Sequence, residues 1–251
     1  MAVGIYSKKH SRRFWYVAIP KTGSQSILKA IVDATPDDRK TLYGSDVNNR
    51  SVHHMPVFDF FNYLSKNDFQ AAEFFTVIRN PFWKHASHFT YQREKTLAKI
   101  KAVEEGTPLD YQEGTTFKPD DKEWVADLYK LIDGPLNSFE AYCNFLNWGF
   151  ENHYHQNWKP MRKDWPTWFI QPISWWIHSP RPQACTALPI ESPKLIQEFC
   201  KKELDISVDI PHINSSGRTK DFYKELYTQK TRNIIYKVER KWIDAFGYEA
   251  A

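Results

Sequence analysis

The sequence predicts an α/β fold in which a central, mainly parallel sheet is flanked by helices. Two apolar runs, residues 14–19 and 74–78, are continuous rather than alternating, as expected of strands buried on both faces of a parallel sheet. Each run leads through a short polar turn into a stretch able to form a helix, residues 26–33 after the first and 82–95 after the second. A strand, a turn and a helix in succession, twice, require crossover connections between parallel strands.

The elements follow in chain order. Residues 1–13 are polar and basic, and the six-residue apolar run after them is too short for a signal-peptide core or a membrane span. A cytoplasmic protein with no membrane span is therefore expected. A shorter helical piece is expected over 59–67, before the second strand. Beyond the second helix, residues 97–136 read as a surface excursion or lid, because 104–122 turn acidic and carry Gly106, Pro108, Gly114 and Pro119. A helix over 138–146 would be capped by Asn137 or Ser138, and residues 168–170 and 185–190 are candidate short strands. Residues 192–203 are helical in pattern, with Pro193 suited to the first position and Leu195, Ile196 and Phe199 on one face. Ile234, Ile235, Val238, Trp242 and Phe246 recur at helical spacing, and Gly247 supplies the stop.

Composition narrows the partners. No Pro/Gly/Ser-rich or highly charged linker divides the 251 residues, so a single domain over 1–251 is expected. A net charge of +4 suits a polyanionic ligand, but no dense Lys/Arg stripe interleaved with aromatics tracks a nucleic-acid backbone, and nucleic-acid binding is not expected. Three cysteines, Cys143, Cys185 and Cys200, are too few and scattered for a disulfide framework or a zinc site. His153 and His155 lack matching carboxylate or cysteine spacing, and no metal is expected. Trp158, Trp165, Trp168, Trp175 and Trp176 pack a core or form a sugar-stacking wall.

Chemistry concentrates in two segments. After the first strand come Pro20, Lys21, Thr22, Gly23, Ser24, Gln25 and Ser26, where small and hydroxyl residues open a helix. A helix N-terminus has unpaired N–H groups and partial positive charge, so such a loop can cradle a phosphate, with Lys21 adding a full charge. A plain capped helix is the alternative. The lysine precedes the only glycine of the loop, so this is not a Walker A motif. The second strand ends in Arg79, where ligands of α/β sheets bind, and Ser87 follows about two helical turns on. Together these two could clamp a second phosphate, or Arg79 could pair with a carboxylate while Ser87 faces solvent.

Pro-Lys-Thr-Gly-Ser-Gln-Ser followed by Val-Ile-Arg-Asn-Pro-Phe and then Ser87 resembles the 5′- and 3′-phosphosulfate motifs of sulfotransferases that use 3′-phosphoadenosine 5′-phosphosulfate (PAPS). The likeness is nearest to carbohydrate sulfotransferases of the heparan sulfate 2-O-sulfotransferase and chondroitin/dermatan type. The segment His54-Met55-Pro56-Val57-Phe58-Asp59-Phe60 is similar to the family's histidine-containing segment, and weaker likenesses fall at 158–161, 168–170, 188–192 and 212–216. The resemblance implies a P-loop-like three-layer fold and transfer of a sulfuryl group from PAPS to a hydroxyl, on a carbohydrate acceptor. It further implies that Thr22, Gly23, Ser24, Gln25 and Ser26 hold the 5′-phosphate and that Arg79 and Ser87 hold the 3′-phosphate. Lys21 then faces the oxygen between sulfur and phosphorus, where charge builds as the sulfuryl group departs. His54 is the expected general base and His53 the alternative, since a histidine's ordinary pKa suits proton abstraction near neutrality. A nucleotide- or sulfated-glycan-binding protein that keeps the anion sites without turnover is the competing reading.

Overall fold

A computed structural model describes residues 2–43, 54, 56–58, 60, 64–107, 109–110, 116–117, 122–152, 170–178, 185–210 and 220–250. In chain order the elements begin with β1 (Ala2–Ser7), β2 (Arg12–Val17), α1 (Ser24–Ala34), β3 (Lys40–Tyr43), α2 (Lys66–Ala71) and β4 (Glu73–Ile78). Then come α3 (Pro81–Glu104), the two-residue strands β5 (Leu109–Asp110) and β6 (Thr116–Phe117), α4 (Lys122–Asp133) and α5 (Phe139–Glu151). The chain continues with the single turn α6 (Ile173–Trp176), β7 (Cys185–Pro189), α7 (Pro193–Phe199), α8 (Lys220–Glu225) and α9 (Gln229–Phe246). Two compact units result: Met1–Asn80 with Ile173–Gly217, and Pro81–Pro172 with Arg218–Ala251.

The first unit is α/β. Its five-stranded sheet has the order β3-β1-β2-β4-β7. The expected strands at 14–19, 74–78 and 185–190 are β2, β4 and β7, and they run parallel. Both faces of β2 are covered, which explains its unbroken apolar run. Phe14 and Tyr16 pack with Ile27, Leu28 and Ile31 of α1 and Ile196 of α7. Trp15 and Val17 face the other way, against Val57, Phe60, Phe69 and Phe74.

The sheet is mixed: β2, β4 and β7 run parallel, and antiparallel strands extend it on one side. β1 runs antiparallel to both β2 and β3, so the polar N-terminus contains a strand that the expectation lacked. Lys8, Lys9, His10, Arg12 and Arg13 mask a hairpin whose inward residues, Val3 and Ile5, are buried and whose turn closes at Ser11 with φ 51°. Gly4 lies opposite Trp15, and a methyl group there would come within 2.9 Å of the indole. Only glycine lets that ring lie flat across the neighbouring strand.

The second unit is helical. α3 begins at Pro81, whose missing N–H costs nothing at a first position, and ends where Gly106 takes φ 64° and donates to Val103 O. It therefore extends beyond 82–95 into the expected excursion, and α4 occupies 122–133 with Leu128 and Leu131 buried. Residues 111–115 and 118–121 lie outside the described residues, as do Trp168, Phe169 and much of 59–67. Ser138 is the cap of α5, its hydroxyl accepting from Ala141 N at 3.1 Å. α9 starts in a reciprocal Thr228/Thr231 cap and stops at Gly247 with φ 62°. Phe82, Phe89, Phe139, Tyr142, Tyr227, Ile235 and Val238 form the core among these helices. Among the described residues no helix is long and apolar enough to cross a membrane.

Candidate functional site

The parallel register brings the carboxyl ends of β2, β4 and β7 side by side, with Val17 opposite Thr76 and Ile78 opposite Pro189. The segments leaving those ends form the candidate site of the first unit.

The first segment joins β2 to α1. Lys21 has φ 64° and Gly23 has φ 76°, so the chain twice enters the left-handed region within three residues. For Gly23 this conformation is free of steric cost; for Lys21 it stores about 1 kcal/mol or more of strain. Thr22 is fully buried, and its hydroxyl donates to Ile19 O at 2.9 Å. That side chain braces the loop from inside rather than presenting a donor outward. Gly23 O accepts from Ser26 N at 3.1 Å and Ile27 N at 3.2 Å, which starts α1. No acidic residue occupies the first turn of α1, so its partial positive charge is not offset locally. Ser24 is buried, Lys21 and Ser26 are half-buried, and Gly23 and Gln25 are exposed.

His54 meets this loop at its base. Its Nδ1 lies 2.8 Å from Ala18 O. A carbonyl oxygen only accepts, so Nδ1 carries the proton and Nε2 holds the lone pair of the neutral ring. Trp176 packs its indole edge-on to the imidazole, with centroids 6.2 Å apart. At 0% and 5% exposure Trp176 and Trp175 are core residues, which excludes them from a sugar-stacking wall, while Trp158, Trp165 and Trp168 lie outside the described residues. His53 also lies outside them.

Arg79 leaves β4 between two anchors. Before it, Ile78 O accepts from Ile190 N at 2.8 Å; after it, Asn80 N donates to Glu191 Oε1 at 2.8 Å. Arg79 is half-buried, as expected of a side chain at the rim of a strand end. Lys21, Thr22, Gly23, Ser24, Gln25, Ser26, His54 and Arg79 thus all belong to the first unit. Ser87 belongs to the second, on α3, where it is 4% exposed.

The second unit holds a polar constellation that the sequence reading missed. Glu239 of α9, fully buried, accepts from His85 Nε2 at 2.7 Å and lies 3.5 Å from Lys84 Nζ. Lys84 also donates to Gln171 O at 2.9 Å. With its proton on Nε2, His85 accepts at Nδ1 from the Tyr142 hydroxyl at 3.0 Å. That hydroxyl oxygen accepts in turn from His88 Nδ1 at 3.0 Å, and His88 Nε2 faces Gln92 Nε2 at 3.4 Å. Burial, reinforced by the Lys84 charge, pushes the His85 imidazole down to about 4 despite its bond to Glu239. Burial likewise lowers the Lys84 ammonium and raises the Tyr142 phenol. A signal for this chain existed in the His85-x-x-His88 spacing, one helical turn apart, but its partners on α5 and α9 are distant in sequence.

Cys143, Cys185 and Cys200 are free thiols. Burial pushes Cys200 up to about 12, far from thiolate reactivity. Among the described residues no group of three or more His, Cys, Asp or Glu side chains is placed to hold a metal ion. No protein-family model, curated protein or solved structure matches the chain.

Proposed function

We propose that the chain is a PAPS-dependent sulfotransferase acting on a hydroxyl of a carbohydrate, built on a P-loop-like three-layer fold. The observation that carries the reading is the bond from His54 Nδ1 to Ala18 O, because it fixes the imidazole at the base of the loop holding Lys21 with the lone pair on Nε2. A phosphate cradle alone would suit any nucleotide-binding protein; a base fixed beside it suits group transfer to a hydroxyl.

PAPS supplies the sulfuryl group, carried on a phosphate leaving group. The backbone amides at the start of α1, from Gly23 to Gln25, bind the 5′-phosphate, and the left-handed turns at Lys21 and Gly23 shape the loop around it. Arg79 binds the 3′-phosphate; Ser87 enters the reading from the sequence resemblance alone. His54 Nε2 takes the proton of the acceptor hydroxyl as its oxygen attacks sulfur, and the Ala18 carbonyl stabilises the imidazolium that forms. The Lys21 ammonium offsets the charge that develops on the departing phosphate oxygen.

Two measurements test this reading. In thermal denaturation, 3′-phosphoadenosine 5′-phosphate is expected to stabilise the chain more than ATP does, a saturating ligand at a hundred times its Kd adding about 2.7 kcal/mol. Equal shifts overturn the assignment of Arg79. With labelled PAPS and a panel of glycans, His54→Ala is expected to lower transfer about 10²- to 10⁴-fold while leaving the nucleotide shift intact. Unchanged transfer overturns His54 as base.

A further inference from the structure

Ile190 and Glu191, which follow β7, touch both turns of the candidate site. A methyl group added to Gly23 would sit 3.4 Å from Ile190 Cδ1 and Cγ1, so this side chain is packed directly against the phosphate loop. The backbone N–H of Ile190 bonds Ile78 O, and the next residue, Glu191, accepts from Asn80 N through its side chain. Arg79 is therefore bracketed on both sides by bonds to two consecutive residues.

The chemistry of the connection makes the second bond matter. Pro81 has no N–H, so the amide of Asn80 is the last backbone donor before α3. A residue preceding proline is also biased toward extended backbone and has few alternative ways to place that amide. A carboxylate accepting from it is a charge-assisted bond across the mouth of the β4–β7 pair.

We propose that Glu191 is a positioning residue that sets nucleotide preference, holding the Arg79–Asn80 turn at a fixed distance from the Lys21–Gly23 loop through the Ile190–Glu191 step. This rests on the sulfotransferase reading, in which Arg79 meets the 3′-phosphate. Glu191 touches neither donor nor acceptor in this role. Its effect appears only in ligands that engage both turns.

The test compares the affinities of 3′-phosphoadenosine 5′-phosphate and adenosine 5′-phosphate for the intact chain and for Glu191→Ala and Glu191→Gln. The intact chain is expected to prefer the 3′-phosphorylated nucleotide. Glu191→Ala is expected to lose about tenfold or more of that preference, chiefly through weaker binding of the 3′-phosphorylated form, as removal of one charge-assisted bond implies. Glu191→Gln is expected to recover most of it, because the amide oxygen still accepts from Asn80 N. Amide hydrogen exchange gives a readout independent of ligand: Asn80 N–H should exchange faster in Glu191→Ala and stay protected in Glu191→Gln. A preference unchanged in Glu191→Ala, or a loss equal in the Gln and Ala variants, overturns the positioning role while leaving the sulfotransferase reading intact. Absence of any preference in the intact chain overturns both.

Discussion

Gly23 is the residue on which the loop's shape depends. Its φ of 76° lies where L side chains clash with their own backbone, while a Cβ there would only reach contact distance, 3.4 Å, from Ile190. Gly23→Ala is expected to cost about 1 kcal/mol or more, read as a lower urea midpoint at unchanged slope. A midpoint equal to that of the parent chain would mean that the loop adopts another conformation. Thr22 carries the opposite lesson. Its residue type suits a phosphate contact, yet its hydroxyl is spent on Ile19 O. A hydroxyl within a loop sequence does not reveal whether it faces a ligand or the loop's own carbonyls.

At the scale of elements, α3, α5 and α9 are joined through their interior by the run from Gln92 to Glu239. Tyr142 is its middle link, donating to one histidine and accepting from another. Tyr142→Phe keeps the ring against Phe139 and Phe89 but leaves two buried imidazole nitrogens without that partner. A loss of about 1–3 kcal/mol is expected in chemical denaturation. A neutral result would show that water or a rearranged imidazole replaces the phenol. The elements themselves were legible where local pattern suffices: β2, β4 and β7 from unbroken apolar runs, α9 from its periodic stripe and terminal glycine. β1 and β3 were not, because short strands set next to basic residues, β1 between β2 and the edge strand β3, have no signal apart from their antiparallel pairing. In the candidate site, the loop from Lys21 to Ser26 and the strand-end Arg79 were legible as pattern, and His54 only through likeness. The Asn80–Glu191 bond and the approach of Ile190 to Gly23 arise from the β4–β7 register, which no local window contains.

For the molecule as a whole, the buried imidazole of His85 makes stability depend on pH. Its folded-state pKa, about 4, lies below the ordinary value of 6.5. Between those values the unfolded chain binds the extra proton and the folded chain does not, so stability rises with pH across that window. The contribution is complete above about pH 6.5 and is progressively lost as the pH falls toward 4, by a few kcal/mol in all. Burial sets the direction; of the groups facing the ring, Lys84 opposes its protonation, Glu239 favours it, and the Tyr142 hydroxyl occupies Nδ1. The parent chain should therefore show a steeper fall in melting temperature from pH 7 to 4.5 than His85→Gln, whose absolute stability is lower. Parallel slopes would mean that another group carries the acid sensitivity.

The strand register also bears on the order in which the chain is synthesised. β4 ends at Ile78 and its partner β7 begins at Cys185, so about a hundred residues, including the helices α3, α4 and α5, leave the ribosome between them. At roughly 5–20 residues per second, the outer edge of β4 waits on the order of ten seconds for its neighbour. During that interval a nascent chain holding β1, β2 and β4 presents an unpaired apolar edge, the form of strand that recruits foreign partners. Any activity that needs the Ile190–Glu191 step is withheld until this edge is closed.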